Sequence, residues 1–319
     1  MSVAELVEGV LSHKRWYLAR LISMIEDEDS QALEVLSQLY KHTGKGHIIG
    51  VTGPPGSGKS SLVTKLTAEF RKRSKTIGIV CVDPSSPFTG GALLGDRIRM
   101  QEHSLDDEVY VRSMGTRGHL GGLSRATSDA VRAIDAFGKE IIFVETVGAG
   151  QSEVEVIDIA HTVIVTDVPG SGDDIQAIKA GIMEIADIFV VNKSDLPGAE
   201  KKVNEINAML DIDPRERVWR PPVLLTNSRK GDGIPDLVDT ILAHLKYLKD
   251  SGDYQKKGLQ RSRDELQELM KYKLTQELAF KLQGKPEYEK AIQLIAKRET
   301  DPYTVAEKLI AEFLFSESR

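Results

Sequence analysis

The segment GPPGSGKSS, residues 53 to 61, sets Gly53, Gly58, Lys59 and Ser60 at the spacing G-x-x-x-x-G-K-[ST]. A loop of this kind binds phosphate for plain physical reasons. Gly56 and Gly58 let consecutive backbone N–H groups converge on one anion, and the helix opening behind the loop adds partial positive charge. Lys59 contributes a full charge, and the Ser60 hydroxyl is an oxygen ligand for Mg²⁺. Gly53, Pro54, Pro55, Gly56, Ser57, Gly58, Lys59, Ser60 and Ser61 are therefore the expected phosphate site. The apolar run HIIGVT precedes them and the helical run SLVTKLTAEFRKR follows, which is the strand-loop-helix context the motif needs.

A second string, NKSD at residues 192 to 195, follows the apolar run IADIFVV. The ionised Asp195 can accept hydrogen bonds from guanine N1–H and N2–H₂, two donors that adenine lacks. The Lys193 stem can lie along the base plane, and Asn192 can tie this loop to the phosphate loop. Isolated, N-K-x-D is also a common solvated turn; at a strand end downstream of a P-loop it favours GTP over ATP. A further wall of the base pocket is expected from LLTNSRKGDGI, with Thr226, Asn227 and Ser228. Asn227 and Ser228 are equally at home as turn formers.

Three acids complete the set. Asp83 ends the run TIGIVCVD, Asp96 follows in a loop rich in Ser, Thr, Gly and Pro, and Glu145 ends the run IIFVET. Carboxylates gathered near a triphosphate repel it unless a divalent cation intervenes, so Ser60, Asp83, Asp96 and Glu145 are the expected Mg²⁺ site. Gln151 stands six residues after Glu145, where a Ras-type arrangement places its glutamine four after the acid. Orienting the attacking water and starting the next helix are both open to it. Lys59, Glu145 and Gln151 are the residues expected to act in catalysis.

These candidates must be held by elements. Seven short β-rich runs between His47 and about Leu248 alternate with helical segments, which predicts an α/β fold with a mainly parallel sheet wrapped by helices. Leu6, Val10, Leu18, Leu21, Ile22, Leu33 and Leu36 recur at helical spacing ahead of that region. The boundaries so drawn are an N-terminal helical extension over 1–43, a P-loop domain over 44–248 and a C-terminal helical arm over 249–319.

Composition narrows the class. A formal charge of −6 over 319 residues argues mildly against a nucleic-acid role, which needs a basic face for counterion release, and reads as simple solubility. No apolar run reaches the roughly 18 residues a bilayer span requires. The lone Cys81 permits no intrachain disulfide and no Cys-rich metal site, and its place in an apolar run reads as a buried strand residue. MSVAELVEGVLSHKRW shows neither a secretory nor a transit pattern, so the expected location is cytoplasmic.

With these residues assembled, the chain resembles the MeaB/ArgK family of P-loop GTPases. The strings that carry the likeness are GVTGPPGSGKSSL, VDPSSPFTGGALLGDRIRM, RSMGTRGHLGGLSRAT, VETVGAGQSE and PGSGDDIQAIKAGIMEIADIFVVNKSD. The resemblance implies GTP hydrolysed with Mg²⁺, no tightly bound organic cofactor, and a homodimer held by helical extensions. It also implies an accessory chaperone of an adenosylcobalamin-dependent acyl-CoA mutase of the methylmalonyl-CoA type, gating cofactor loading and protecting or reactivating the enzyme. By position, Asp173, Gln176 and Lys179 match a further switch that couples the partner to the nucleotide; on residue types alone that segment is a Gly-rich connection. In RGHLGGLSRA, Arg117 and His119 have no assigned role.

Other classes compete. An ATPase or kinase linked to lysine, arginine and ornithine transport leaves NKSD without a purpose. A metallochaperone GTPase needs Cys and His ligands, against one cysteine and scattered histidines. A signal-recognition GTPase needs a Met-rich, RNA-binding appendage that this acidic chain lacks.

Overall fold

The seven apolar runs form one parallel sheet. Its strands are β1 (His47–Thr52), β2 (Ile77–Asp83), β3 (Val109–Gly115), β4 (Ile141–Thr146), β5 (Thr162–Asp167), β6 (Ile188–Val191) and β7 (Val223–Leu225), in the order β3-β2-β4-β1-β5-β6-β7. Every pairing is parallel. The structure is a computed structural model that describes residues 1–83, 105–115, 122–146, 159–170, 185–212 and 218–314, with the side chains of residues 83, 122–124 and 313–314 outside the description.

Parallel strands covered on both faces should be apolar throughout rather than alternating, and β4, β5 and β6 are buried along their full length. The two faces are packed by different helices. Ile142 and Val144 join α1 (Val3–Leu11), α2 (Arg15–Glu26), α3 (Ser30–Leu39) and α5 (Gly122–Ala136) in one core. Ile141 and Phe143, one residue out of phase, meet Leu62, Leu66 and Phe70 of α4 (Lys59–Lys72) on the other face, with Leu237, Val238 and Ile241 from a later helix. Each such side chain, fully buried, contributes about 1.5–3 kcal/mol. A third core sets Ile206 and Leu210 of α6 (Ala199–Ile212) against Val163, Val165, Phe189 and Val191.

Local signals fix the ends of the N-terminal layer. Ser2 caps α1 through the Glu5 N–H while the Glu5 carboxylate accepts from the Ser2 N–H at 2.7 Å, a reciprocal capping box. Arg112 of β3 pairs with Glu26 of α2 and donates to Ser23, tying this layer to the sheet.

The chain divides into two compact units, Met1–Tyr254 and Gln255–Arg319. The first closes with α7 (Ile234–Asp250), and α8 (Asp253–Leu282) begins at its end. The second continues through α9 (Pro286–Ala296) and α10 (Pro302–Leu314). Asp301 accepts from the Thr304 N–H and hydroxyl at 2.9 and 2.8 Å, a cap that starts α10. Along α8, Leu259, Leu266, Met270, Leu274 and Phe280 are exposed. No helix among the described residues is long and apolar enough to cross a membrane.

Candidate functional site

Strand order brings the sequence candidates to one edge. β1 is flanked by β4 and β5, and the register sets Val51 level with Glu145 on one side and Ile164 on the other. Glu145 is in turn level with Cys81 of β2, so Asp83 lies two residues further along the neighbouring strand. Gly53 therefore leaves β1 at the edge where Asp83 and Asp167 end their strands and Glu145 stands one residue before the end of β4.

The phosphate loop is shaped by two close approaches. A Cβ on Gly53, where φ is +138°, would lie 2.0 Å from the Thr166 carbonyl oxygen, and one on Gly58, where φ is +89°, would lie 2.5 Å from Asn192 Nδ2. Both positions demand glycine on space as well as on backbone conformation. Lys59, nearly buried, donates from Nζ to the carbonyls of Gly53 at 2.6 Å and Pro54 at 3.1 Å, which holds its charge over the loop. Pro55, Gly56 and Ser61 are exposed, whereas Ser57 and Ser60 are buried.

Ser60 and Glu145 meet directly. The Ser60 hydroxyl donates to Glu145 Oε1 at 2.5 Å, and Glu145 is 1% exposed. A hydroxyl and a carboxylate converging behind the phosphate loop are the oxygen donors that a hard cation such as Mg²⁺ takes, and the site fits that ion on this chemistry. No group of three or more His, Cys, Asp or Glu side chains able to hold a metal occurs among the described residues. Asp96, Gln151, Asp173, Gln176, Lys179, Arg117 and His119 lie outside the described residues.

The NKSD loop is split in its use. Asn192, 1% exposed, donates from Nδ2 to the Ser57 carbonyl at 2.9 Å. Its Oδ1 accepts from the Ser228 N–H at 3.1 Å, the Ser228 hydroxyl at 2.8 Å and the Thr226 hydroxyl at 3.2 Å. One amide thus joins the phosphate loop to the loop after β7. Lys193, in the left-handed region at φ +57°, reaches Gly56 O with its Nζ at 2.8 Å. Asp195 is exposed, and its carboxylate has no partner among the described residues. In the loop after β7, Asn227 spends its side-chain oxygen on its own turn, accepting from the N–H groups of Arg229 and Lys230. The turn-forming reading of Asn227 is the one its contacts display, while Ser228 is engaged with Asn192.

Two residues at this edge were not singled out by sequence. Asp167 ends β5 and forms a buried ion pair, 2.8 Å from the Nζ of Lys202 in α6. A lone acid closing an apolar run was the signal that marked Asp83 and Glu145, and TVIVTD carries it too. Lys202 had no local signal.

A glycine-rich phosphate loop leaving the central strand of a parallel sheet, with its lysine and serine in place and helices on both faces, defines a P-loop NTPase. The family model described as "Methylmalonyl Co-A mutase-associated GTPase MeaB" matches residues 18–283, and the chain belongs to that family of GTPases. A "Putative GTPase" of Pyrococcus abyssi is 44% identical over 98% of this chain and 97% of its own length. The mitochondrial "Methylmalonic aciduria type A homolog" of Caenorhabditis elegans is 33% identical over 80% of this chain and 69% of its own. Among solved structures, a LAO/AO transport system kinase superposes with a TM-score of 0.71 at 23% identity, covering 98% of each chain, which supports the fold.

Proposed function

We propose that this chain hydrolyses GTP to GDP and phosphate and acts as an accessory chaperone of an adenosylcobalamin-dependent acyl-CoA mutase of the methylmalonyl-CoA type. The observation that carries the nucleotide reading is the division of labour in NKSD: Asn192 is buried and saturated by protein, while Asp195 faces solvent beside the same loop. An exposed carboxylate next to a phosphate loop is suited to the paired donors of guanine, and adenine would leave it unmatched. Family membership and the C. elegans relative's name support the mutase as client.

The chain's own groups account for the chemistry by position and charge. The backbone N–H groups of residues 56 to 60 cradle the β-phosphate, and Lys59 leaves its loop carbonyls to meet the β- and γ-oxygens. Ser60, Asp83, Asp96 and Glu145 would hold Mg²⁺, which when bound neutralises charge on the β- and γ-phosphates. Gln151 is the proposed group for orienting the attacking water, and Asp173, Gln176 and Lys179 the proposed coupling switch toward the mutase. The exposed apolar residues of α8 support a homodimer formed through the C-terminal helices. The protein works in the cytoplasm on this reading.

Calorimetric titration with GDP and ADP tests the base, and phosphate release with and without a purified methylmalonyl-CoA mutase tests the client. Preference for GDP and faster turnover with the mutase are expected. Equal binding of ADP, or turnover indifferent to every cobalamin mutase tried, would remove the corresponding half of the proposal.

A further inference from the structure

Asp167 touches the NKSD loop at both of its ends. Its backbone carbonyl accepts the N–H of Asn192, the first residue of the loop, at 2.8 Å. Its carboxylate Oδ2 lies 2.8 Å from Nζ of Lys202 in the first turn of α6, the helix into which the loop runs. The Lys202 N–H is bonded to Gly198 O at 3.0 Å, so the backbone that carries the ammonium is hydrogen-bonded to the loop's last residue. The other carboxylate oxygen, Oδ1, accepts the Val168 N–H at 2.8 Å and fixes the carboxylate's own orientation. Residue 166, immediately before, presses its carbonyl against Gly53. One strand end thus sets the phosphate loop, the start of the NKSD loop and its exit.

From this geometry we infer that Asp167 and Lys202 are positioning residues for base selection: their buried ion pair holds the loop 192–198 closed so that the Asp195 carboxylate stands where guanine donors can reach it. The inference rests on the guanine reading above. The Asp195 carboxylate is exposed and has no partner among the described residues. Its backbone neighbours form a turn held by Ser194 N–H to Thr226 O at 3.0 Å and Leu196 N–H to Lys193 O at 2.9 Å, and the frame at the loop's two ends sets where that turn stands. A charged pair suits this task better than an apolar contact. Its energy depends steeply on separation inside a low-dielectric site, so it specifies one spacing between β5 and α6. With side chains only 5% and 3% exposed, the pair is little screened by salt.

The test compares GDP with IDP, which lacks only the N2 amino group that Asp195 reads. Global destabilisation or a distorted phosphate loop weakens both ligands equally, so the ratio of their Kd values reports on the carboxylate's position alone. The combined variant Asp167→Asn with Lys202→Met removes both charges, and replacing both partners of a buried pair spares the fold the unpaired charge that a single change leaves. Expected is a thermal midpoint close to wild type with a GDP-over-IDP preference reduced about tenfold or more, the low end of one charge-assisted hydrogen bond. An unchanged preference overturns the positioning role. Should the combined variant unfold, Lys202→Gln keeps a hydrogen bond to Asp167 without the charge and is read the same way; a wild-type ratio there overturns the proposal equally. Wild-type chain that binds ADP as well as GDP would instead overturn the guanine reading and this inference with it.

Discussion

The parallel sheet has two polar edges, and they differ in what their buried groups are for. At the edge opposite the phosphate loop, His47 and Thr162 open β1 and β5 and Asp187 precedes β6. They are joined by His161 and by His244 from α7. His47 Nε2 is 2.8 Å from Thr162 Oγ1, which is 2.9 Å from His244 Nδ1, and His244 Nε2 lies 3.4 Å from Asp187 Oδ1. The threonine hydroxyl bridges the two imidazoles, and the tautomers of His47 and His244 set which group donates at each contact. His161 Nδ1 accepts the Ile48 N–H at 3.0 Å, and its ring packs on Tyr254. These bonds all close within the protein, and among the ring nitrogens at this edge His47 Nδ1 is buried without a hydrogen-bond partner among the described residues. At the phosphate edge, Asn192 is saturated, but Asp195 faces outward and the Ser60–Glu145 pair sits behind an anion-binding loop. Burial with hydrogen bonds marks structure at one edge; at the other, it supports groups left for a ligand.

That contrast predicts that changes at one edge alter ligand handling without stability and that changes at the other do the reverse. Lys59→Ala should have the largest effect, lowering kcat for GTP about a thousandfold while the thermal midpoint moves little. Phosphate release and circular dichroism check both halves, and a collapse of the fold would break the contrast. Asp195→Asn should weaken GDP about a hundredfold through two charge-assisted bonds and favour a xanthine nucleotide in its place, read by competition titration. Thr162→Val should cost about 2 kcal/mol of stability in urea by leaving His47 and His244 without their shared hydroxyl, with the Kd for GDP unchanged.

The smallest effect is on pH. Burial, reinforced by the electrostatic influence of the neighbouring His244 and Lys249, pushes His47 down to about 3 from an ordinary value near 6.5. The unfolded chain takes up this proton below about pH 6.5 while the folded chain refuses it until about pH 3. Stability therefore falls across that window as pH drops, by about 1.4 kcal/mol per pH unit for one proton. His47→Gln should flatten the slope of urea stability between pH 6 and 5, and an unaltered slope would assign the acid sensitivity elsewhere.

Much of the nucleotide edge was legible in the amino acids because its signals are local. The P-loop and NKSD each lie within nine residues, and their chemistry follows from spacing along the chain. Asp167 was legible by the same rule as Asp83 and Glu145, an acid closing an apolar run, yet its meaning depends on Lys202, 35 positions later on a different element. The histidines looked scattered because positions 47, 161 and 244 meet only after β5 docks beside β1 and α7 covers them. His47 and His244 converge on a threonine hydroxyl, His244 also on a carboxylate, and His161 stacks on His47.

By itself, the sequence determined the seven strands, their burial on two faces, the phosphate loop and the NKSD tetrapeptide at its strand end. Apolar period, glycine spacing and turn chemistry act over a few residues and need no partner from afar. Only the tertiary structure decided which acids share an edge, which amide of NKSD is spent on the protein, and that Asp167 brackets the loop carrying Asp195. Those relations are set by strand order and register, and they bring together residues whose types, one at a time, say nothing about where they will meet.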